Sequence, residues 1–206
     1  MSRRLPARLV LATGNAGKLR ELRAMLAPWR VAVLPLSEFT DSAAQETGSS
    51  FVDNAMLKAR FAAQAAGLPA IADDSGLEVD ALGGAPGILS ARYAGEDAGD
   101  AANNAKLLLE MTGIPAPKRG ARYRCAMVFV GAPDDPVPVV CEASWEGWIA
   151  AAPRGNGGFG YDPLFVVGGT ERTAAEFEAG EKNRVSHRGK ALRALVTALG
   201  GRTDGS

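Results

Sequence analysis

The chain has 206 residues, of which 47% are hydrophobic, and its 23 Lys and Arg residues balance 23 Asp and Glu residues. This length is enough for a substantial core in one domain or in two closely joined lobes. Zero net charge argues against a protein that grips nucleic acid nonspecifically, so any anion site must be local. No apolar segment approaches the roughly 18 residues of a membrane span, and the N-terminus lacks the apolar stretch of a secretory signal. We therefore expect a cytoplasmic protein that binds neither nucleic acid nor membrane.

The first half of the chain alternates between strand and helix patterns. Apolar residues recur at helical spacing in two segments. The longer of these is rich in alanine, can be capped by Ser49 or Ser50, and is ended by Gly67. The predicted strands cover 7–13, 31–36 and 69–73, and the predicted helices cover 17–27 and 49–66.

A long loop rich in glycine and proline separates this half from the second. A helix over 101–111 follows, and Asp100 can cap it. Two long, partly alternating strands come next, then a loop with a short strand, and a final helix that begins near Ser186. The two long strands cover 121–131 and 136–150, and residues 201–206 form a polar tail that we expect to be mobile. This order predicts an α/β fold with a mixed sheet and helices packed on it.

The cysteines and the histidine limit the possible chemistry. Cys125 and Cys141 each lie in an apolar, strand-like run, which favours buried thiols in a reducing compartment over a disulfide or metal pair. His187 is the only histidine, and no cysteine–histidine spacing is typical of a metal site. A zinc enzyme and a Ser-His-Asp hydrolase are therefore both poorly supported.

A short glycine-containing loop, TGNAGK at 13–18, joins the first strand to the first helix. Backbone N–H groups in such a loop at a helix N-terminus can bind phosphate oxygens, and Lys18 adds a positive charge. The spacing is not that of a P-loop, which needs four residues between its glycines. A plain turn that starts a helix would have the same appearance.

Carboxylates mark a second group of candidate residues. Asp73 and Asp74 follow an apolar run and precede Ser75, and two neighbouring buried acids are costly unless a cation compensates them. Glu46 lies just before the alanine-rich helix and can serve as a magnesium ligand, because hard cations prefer carboxylate oxygens. A turn or helix cap is the alternative explanation of the acid pair, and a solvated loop acid is the alternative explanation of Glu46.

The remaining candidates lie on helices and in an aromatic loop. Asn54 and Lys58 are four residues apart and share one helical face, where Asn54 is unusual unless its amide holds something. The loop GGFGYDP at 157–163 places aromatic residues among glycines and is suited to a flat ligand such as a base. Hydrogen-bond donors gather before and at the start of the last helix, although a solvated basic face would look similar. These donors are Lys182, His187 and Arg188.

In this order the motifs TGNAGK, SFVDNAMLKA, ADDSGLEVDALGGAPGILSARYAG, GGFGYDPLF and SHRGKAL closely resemble those of the inosine/xanthosine triphosphate pyrophosphatase family. The likeness extends from about residue 8 to residue 199. It implies an elongated α/β fold with a long mixed, twisted sheet flanked by helices. It also implies one domain over 1–200, made of two lobes with an active-site cleft between them, and usually a homodimer.

The resemblance also implies roles for individual residues. Asp74 would be the catalytic acid and would meet Mg²⁺ together with Glu46, whereas Lys58 and Asp73 would support the site. The implied substrate-binding residues are Thr13, Gly14, Asn15, Ala16, Gly17, Lys18, Ser75, Phe159, Gly160, Tyr161, Asp162, Lys182, His187 and Arg188.

The function implied is Mg²⁺-dependent hydrolysis of ITP, dITP and XTP to a nucleoside monophosphate and pyrophosphate, which cleanses the nucleotide pool. Two alternatives stay open at this point. One is a related pyrophosphatase for other modified or pyrimidine nucleotides, with the same phosphate site and a different base pocket. The other is a nucleotide sensor that does not turn over its ligand.

Overall fold

The computed structural model describes residues 4–201. The mobile tail predicted at 201–206 therefore lies, apart from its first residue, outside the described part of the chain. The α-helices are α1 (Ala16–Leu26), α2 (Phe51–Ala66), α3 (Asp100–Glu110), α4 (Ala179–Val185) and α5 (His187–Ala198). The strands are β1 (Arg8–Leu11), β2 (Ala32–Pro35), β3 (Ala70–Val79), β4 (Gly120–Val130), β5 (Val139–Ile149) and β6 (Phe165–Val167).

The six strands form one sheet in the order β2-β1-β3-β4-β5-β6. Strand β1 pairs in parallel with both β2 and β3, whereas β5 and β6 are antiparallel. The sheet is therefore mixed, as the sequence predicts. The parallel strands belong to the part of the chain in which helices and strands alternate, because a parallel connection needs a crossover.

Helix α2 has clear start and stop signals. The Ser50 side chain accepts a hydrogen bond from the Asp53 backbone N–H, which makes Ser50 the N-cap. Gly67 ends the helix with φ of 62°, a left-handed conformation that costs glycine little. The helix buries its Phe51 and a set of alanines on one side.

The described chain forms two compact units, each assembled from separate segments. Among the described residues, unit 1 comprises 4–74, 125–143 and 188–201, and unit 2 comprises 75–124 and 144–187. Unit 1 has an aliphatic core from β1, α1, the start of β3, the end of β4 and α5. Unit 2 has a core that is richer in aromatic residues. Its buried aromatic side chains are Tyr123, Trp145, Tyr161 and Phe165.

The structure corrects three expectations about elements. The predicted strand ends at Asp73, whereas β3 runs to Val79, so Asp74 also lies within the strand. A short helix, α4, covers a segment for which no helix was predicted. Asp100 is the first residue of α3 and not its cap, which is Gly99. No helix in the described part of the chain is long and apolar enough to cross a membrane.

Candidate active site

The loop that precedes α1 is closed by its own side chains. The Asn15 side chain accepts a hydrogen bond from Lys18 N at 3.0 Å, and Asn15 N donates to Thr13 Oγ1 at 3.1 Å. Ala16 and Gly17 open the helix, so their N–H groups have no acceptor within it. The 11-residue helix adds a favourable dipole at this end. The loop thus offers an anion-binding end next to the Lys18 ammonium group.

Asp73 and Asp74 are buried neighbours in β3, and their side chains leave opposite faces of the strand. Asp73 Oδ2 lies 3.2 Å from Lys18 Nζ and accepts a hydrogen bond from Arg188 Nε at 3.2 Å. Asp74 Oδ1 accepts one from Lys58 Nζ at 2.6 Å. Each acid therefore has its own cationic partners, which makes the burial of two adjacent carboxylates tolerable.

Arg188 lies inside unit 1 and is 2% exposed. Besides Asp73, it donates from Nη1 to Glu21 Oε2 at 2.5 Å. Burial alone would lower the pKa of its guanidinium, but Asp73 and Glu21 outweigh burial and raise it. Arg188 thus joins α5 to α1 and β3 and shares the Asp73 carboxylate with Lys18. Its predicted contact with the nucleotide stays a prediction.

Lys58 lies between two carboxylates. Its Nζ is 3.4 Å from Glu46 Oε1 as well as 2.6 Å from Asp74 Oδ1. Burial lowers the pKa of Lys58, but Asp74, Asp73 and Glu46 together outweigh burial and raise it. Desolvation raises the pKa of Asp74 above its usual value, Glu46 adds to the increase, and Lys58 opposes it. Asp74 is therefore a carboxylate whose proton affinity is increased, as expected of a general base.

The carboxylates around Lys58 suit a hard cation. Asp74 Oδ2 is buried and accepts no hydrogen bond within residues 4–201, and the Glu46 side chain is 32% exposed. No group of three or more His, Cys, Asp or Glu side chains that could hold a metal ion occurs among the described residues. Two carboxylates match Mg²⁺, which is usually held by one or two carboxylates, substrate phosphates and waters.

A second group of predicted residues lies in unit 2 around Asp162. The Asp162 carboxylate accepts hydrogen bonds from Lys182 Nζ at 2.5 Å, from Phe159 N at 2.9 Å and from Tyr123 Oη at 3.2 Å. The Lys182 ammonium also lies 4.8 Å from the centre of the Phe159 ring. Asp162 thus closes the aromatic loop on itself and ties it to α4.

Helix α3 holds the tip of the same loop. Gly160 N donates to Asp100 Oδ2 at 2.6 Å, and Gly160 O accepts a hydrogen bond from Asn104 Nδ2 at 2.8 Å. The Tyr161 hydroxyl donates to Ser90 O at 2.8 Å in a buried position, where desolvation raises its pKa. Both faces of the loop are therefore fixed by hydrogen bonds.

His187 opens α5 and is 3% exposed. Its ring stacks on Tyr123, with 4.7 Å between ring centres and 10° between planes, and lies 6.4 Å from the Trp145 ring centre. Ser75, the first residue of unit 2, is half-buried in β3. Unit 2 therefore connects the aromatic loop, Lys182 and His187 through Asp162 and Tyr123.

Several residues that shape these groups were not anticipated from the sequence. Tyr123 and Trp145 lie in long strands, where their spacing is that of core residues. Glu21, Asp100 and Asn104 lie on polar helix faces, where a charged or amide side chain is ordinary. No sequence signal separates these residues from solvated ones, because their partners are more than 50 residues away along the chain.

Comparison with known proteins shows the family of this chain. The model of the Ham1 family matches residues 9–198. The chain belongs to the Ham1 family. It is 57% identical over 195 residues to a dITP/XTP pyrophosphatase of Thioalkalivibrio sulfidiphilus, covering 95% of this chain and 100% of the relative. A protein of the same name from Shigella flexneri is 53% identical over 192 residues, covering 93% of this chain and 98% of the relative.

Ham1 proteins of known structure share the fold. The structure of a Ham1 protein from Coxiella burnetii superposes with a TM-score of 0.85 at 46% sequence identity, covering 94% of this chain and 98% of that one. The family resemblance that the sequence motifs indicate is therefore confirmed. The predicted mixed sheet flanked by helices is confirmed as well.

Proposed function

We propose that this Ham1 protein is a nucleoside-triphosphate pyrophosphatase that hydrolyses non-standard purine nucleotides, dITP, ITP and XTP, to the monophosphate and pyrophosphate. Relatives that are 53–57% identical over nearly their whole length are named dITP/XTP pyrophosphatases. The observation that carries the proposal is the Lys58–Asp74 pair beside Glu46, in the same unit as the anion-binding loop. Asp74 can activate a water molecule, and the loop 13–18 can receive phosphate oxygens. A protein that only binds nucleotides does not need the water-activating carboxylate.

The phosphate chemistry follows from unit 1. Asp74 accepts the proton of the attacking water, since burial increases its proton affinity. Lys18 and the N–H groups of the loop 13–18 compensate the charge on the departing pyrophosphate. Lys58 holds the Asp74 carboxylate in place through its 2.6 Å hydrogen bond.

Mg²⁺ is the cation that these residues fit. Asp74 and Glu46 would hold it, and when bound it would neutralise phosphate charge and increase the acidity of a coordinated water. Lys58 keeps both carboxylates near one another before any cation binds, because it pairs with both of them.

The base is selected by the group in unit 2. Hypoxanthine and xanthine carry an acceptor oxygen at position 6, where adenine carries an amino donor. A donor such as His187 would pair with that oxygen and remain unpaired against adenine, whereas the Phe159 and Gly160 N–H groups of the aromatic loop already donate to Asp162 and Asp100. A mismatch of this kind discriminates by as much as about 10⁴. Phe159 and Tyr161 belong to the loop that would lie against the flat base.

The protein's other expected properties belong to the same proposal. We expect a cytoplasmic homodimer whose partner molecule is the purine nucleotide and which binds neither nucleic acid nor membrane. Its zero net charge is consistent with this expectation.

Pyrophosphate release from a panel of nucleotides tests the proposal. We expect dITP, ITP and XTP to be hydrolysed at least about 100-fold faster, in kcat/KM, than ATP and CTP, because only the 6-oxo bases satisfy the donors. Hydrolysis should require added Mg²⁺. Equal rates on ITP, ATP, GTP and CTP would contradict the selectivity for non-standard purines and favour a pyrophosphatase for other nucleotides.

The variant Asp74→Asn separates an enzyme from a sensor. The amide keeps the shape of the carboxylate but cannot accept the proton, so turnover should be lost while ITP binding, measured by calorimetry, is largely kept. Normal hydrolysis by Asp74→Asn would exclude Asp74 as the base. A wild-type protein that binds ITP without releasing pyrophosphate would be the sensor.

A further inference from the structure

Asn54 is a fully buried amide in the first turn of α2, with 0% of its surface exposed. Its Oδ1 accepts a hydrogen bond from Gly48 N at 2.9 Å, and its Nδ2 has no acceptor in the described part of the chain. A buried unsatisfied donor costs about 1–3 kcal/mol, and asparagine is a weak helix former. Packing or helix stability therefore does not explain this residue.

Gly48 fits closely against the helix at this point. A Cβ atom at Gly48 would lie 2.5 Å from Asp53 Cβ and 2.7 Å from Asn54 Oδ1, both far inside ordinary contact. The backbone around Gly48 can approach α2 only without a side chain. The hydrogen bond to Asn54 and this close approach together hold the segment 46–48 against the first turn of the helix.

The same helix contacts that segment a second time through Glu46. Lys58 lies four residues after Asn54, hence on the same face, and its Nζ is 3.4 Å from Glu46 Oε1. Asn54 holds the backbone two residues after Glu46, and Lys58 holds the carboxylate. The Lys58 contact alone would not fix the position of the Glu46 carboxylate, because the lysine side chain is flexible and the two groups could move together.

We propose that Asn54 is a positioning residue that sets the place of the Glu46 carboxylate, and hence the affinity of this site for a divalent cation. The inference rests on the proposed function for the identity of the cation. Asn54 itself touches neither carboxylate in the pair around Lys58. It acts through the backbone of Gly48, much as residues behind a metal ligand fix the ligand's orientation.

Binding of Mn²⁺ to the nucleotide-free protein, followed by the EPR signal of the free ion, tests this inference without any turnover. Asn54→Leu removes the hydrogen bond and keeps the branching of the side chain, and we expect the Kd for Mn²⁺ to rise about ten-fold. Gly48→Ala leaves Asn54 in place but forces the loop away from α2, so the Kd should rise similarly. Glu46→Gln sets the scale for loss of the ligand itself.

Asn103 provides a matched control in unit 2. It is 3% exposed, its Oδ1 accepts a hydrogen bond from Ala94 N at 2.8 Å, and its Nδ2 donates to Ala91 O. Asn103→Leu therefore loses the same kind of loop contact, at comparable burial, away from Glu46 in the sequence. We expect this variant to bind Mn²⁺ as the wild type does. The Mg²⁺ concentration for half-maximal pyrophosphate release should rise in the Asn54 and Gly48 variants and stay unchanged in Asn103→Leu.

The outcomes are distinct. Wild-type Mn²⁺ affinity in both Asn54→Leu and Gly48→Ala would overturn the inference, as would an equal loss in Asn103→Leu. If Asn54→Leu does not fold, Gly48→Ala decides, since it changes only a partly exposed loop residue. Failure of the proposed function appears elsewhere, as a wild-type protein that releases no pyrophosphate from ITP.

Discussion

Asp73 and Asp74 are neighbours in the chain but have different surroundings. Asp73 is bound by Lys18 and Arg188, which are both cations. Asp74 has one close cation, Lys58, and a nearby carboxylate, Glu46, so desolvation wins and its pKa rises. The two acids are therefore suited to different tasks. Asp73 holds the side chains of Lys18 and Arg188 in place, and Asp74 is suited to accepting a proton.

The substitution Lys58→Met tests this balance at a single residue. Removing the ammonium leaves the burial of Asp74 and the charge of Glu46 in place, so the pKa of Asp74 should rise further. Hydrolysis needs the ionised carboxylate and is lost as pH falls through that pKa. We therefore expect the acidic limb of the kcat/KM profile on ITP to move to higher pH.

Lys118→Met is the control for this change, because Lys118 is an exposed lysine in the short turn before β4. Its pH profile should match that of the wild type. An acidic limb that stays in place, or moves to lower pH, in Lys58→Met would show that Lys58 does not control the protonation of Asp74.

Among the elements, α2 supports the carboxylates of the proposed metal site. It carries Lys58 and the anchoring amide of Asn54 on one face, and its alanines pack on another side. Its ends are defined by Ser50 and Gly67. Because a helix is rigid over four residues, the Cα atoms of Asn54 and Lys58 keep a constant spacing.

The C-terminal end of α2 provides a prediction on stability. Gly67→Ala forces a side chain into a left-handed conformation, with φ of 62°, at a cost of about 1–2 kcal/mol in the free energy of unfolding. Gly180→Ala is the control, since Gly180 lies in α4 without a positive φ and its added Cβ would meet only Arg184 Nη1 at 3.9 Å. Urea unfolding should show a loss for the first variant and none for the second. Equal losses would show that the φ angle is not the cause.

At the scale of the molecule, unit 1 is built from both ends of the chain and a piece of the middle. Its core joins Leu9 near one terminus to Leu195 and Leu199 near the other, with Cys125 and Met127 from β4. The catalytic candidates of unit 1 thus depend on a core that is complete only when the last helix has packed.

This core can be tested with two leucines in helices. Leu195 is 0% exposed in α5, so Leu195→Ala should lower the free energy of unfolding by about 2–5 kcal/mol. Leu109 in α3 is 73% exposed, and Leu109→Ala should change it by no more than about 0.5 kcal/mol. Thermal and urea unfolding measure both. Similar values for the two variants would contradict the core assignment.

Much of the fold was predictable because its signals are local. Each of these signals lies within about ten residues of sequence. They are the caps of α2, the apolar run of β1 and the alternating patterns of the long strands β4 and β5. The end of β3 was not predictable, because charged residues normally end a buried strand. Only the distant cations Lys18, Lys58 and Arg188 allow the strand to continue through its two acids.

The sequence by itself determined the kinds of groups available: a glycine loop with a lysine, an acid pair, an isolated glutamate, an aromatic loop and a basic helix start. Their order along the chain was enough to identify the family. The tertiary structure decided which groups are neighbours, and therefore which acid is neutralised, which has a raised pKa, and that Arg188 pairs with Glu21 and Asp73. The physical reason is that charge–charge and hydrogen-bond energies depend on distances of a few ångströms, which residues far apart in sequence acquire only when the cores pack.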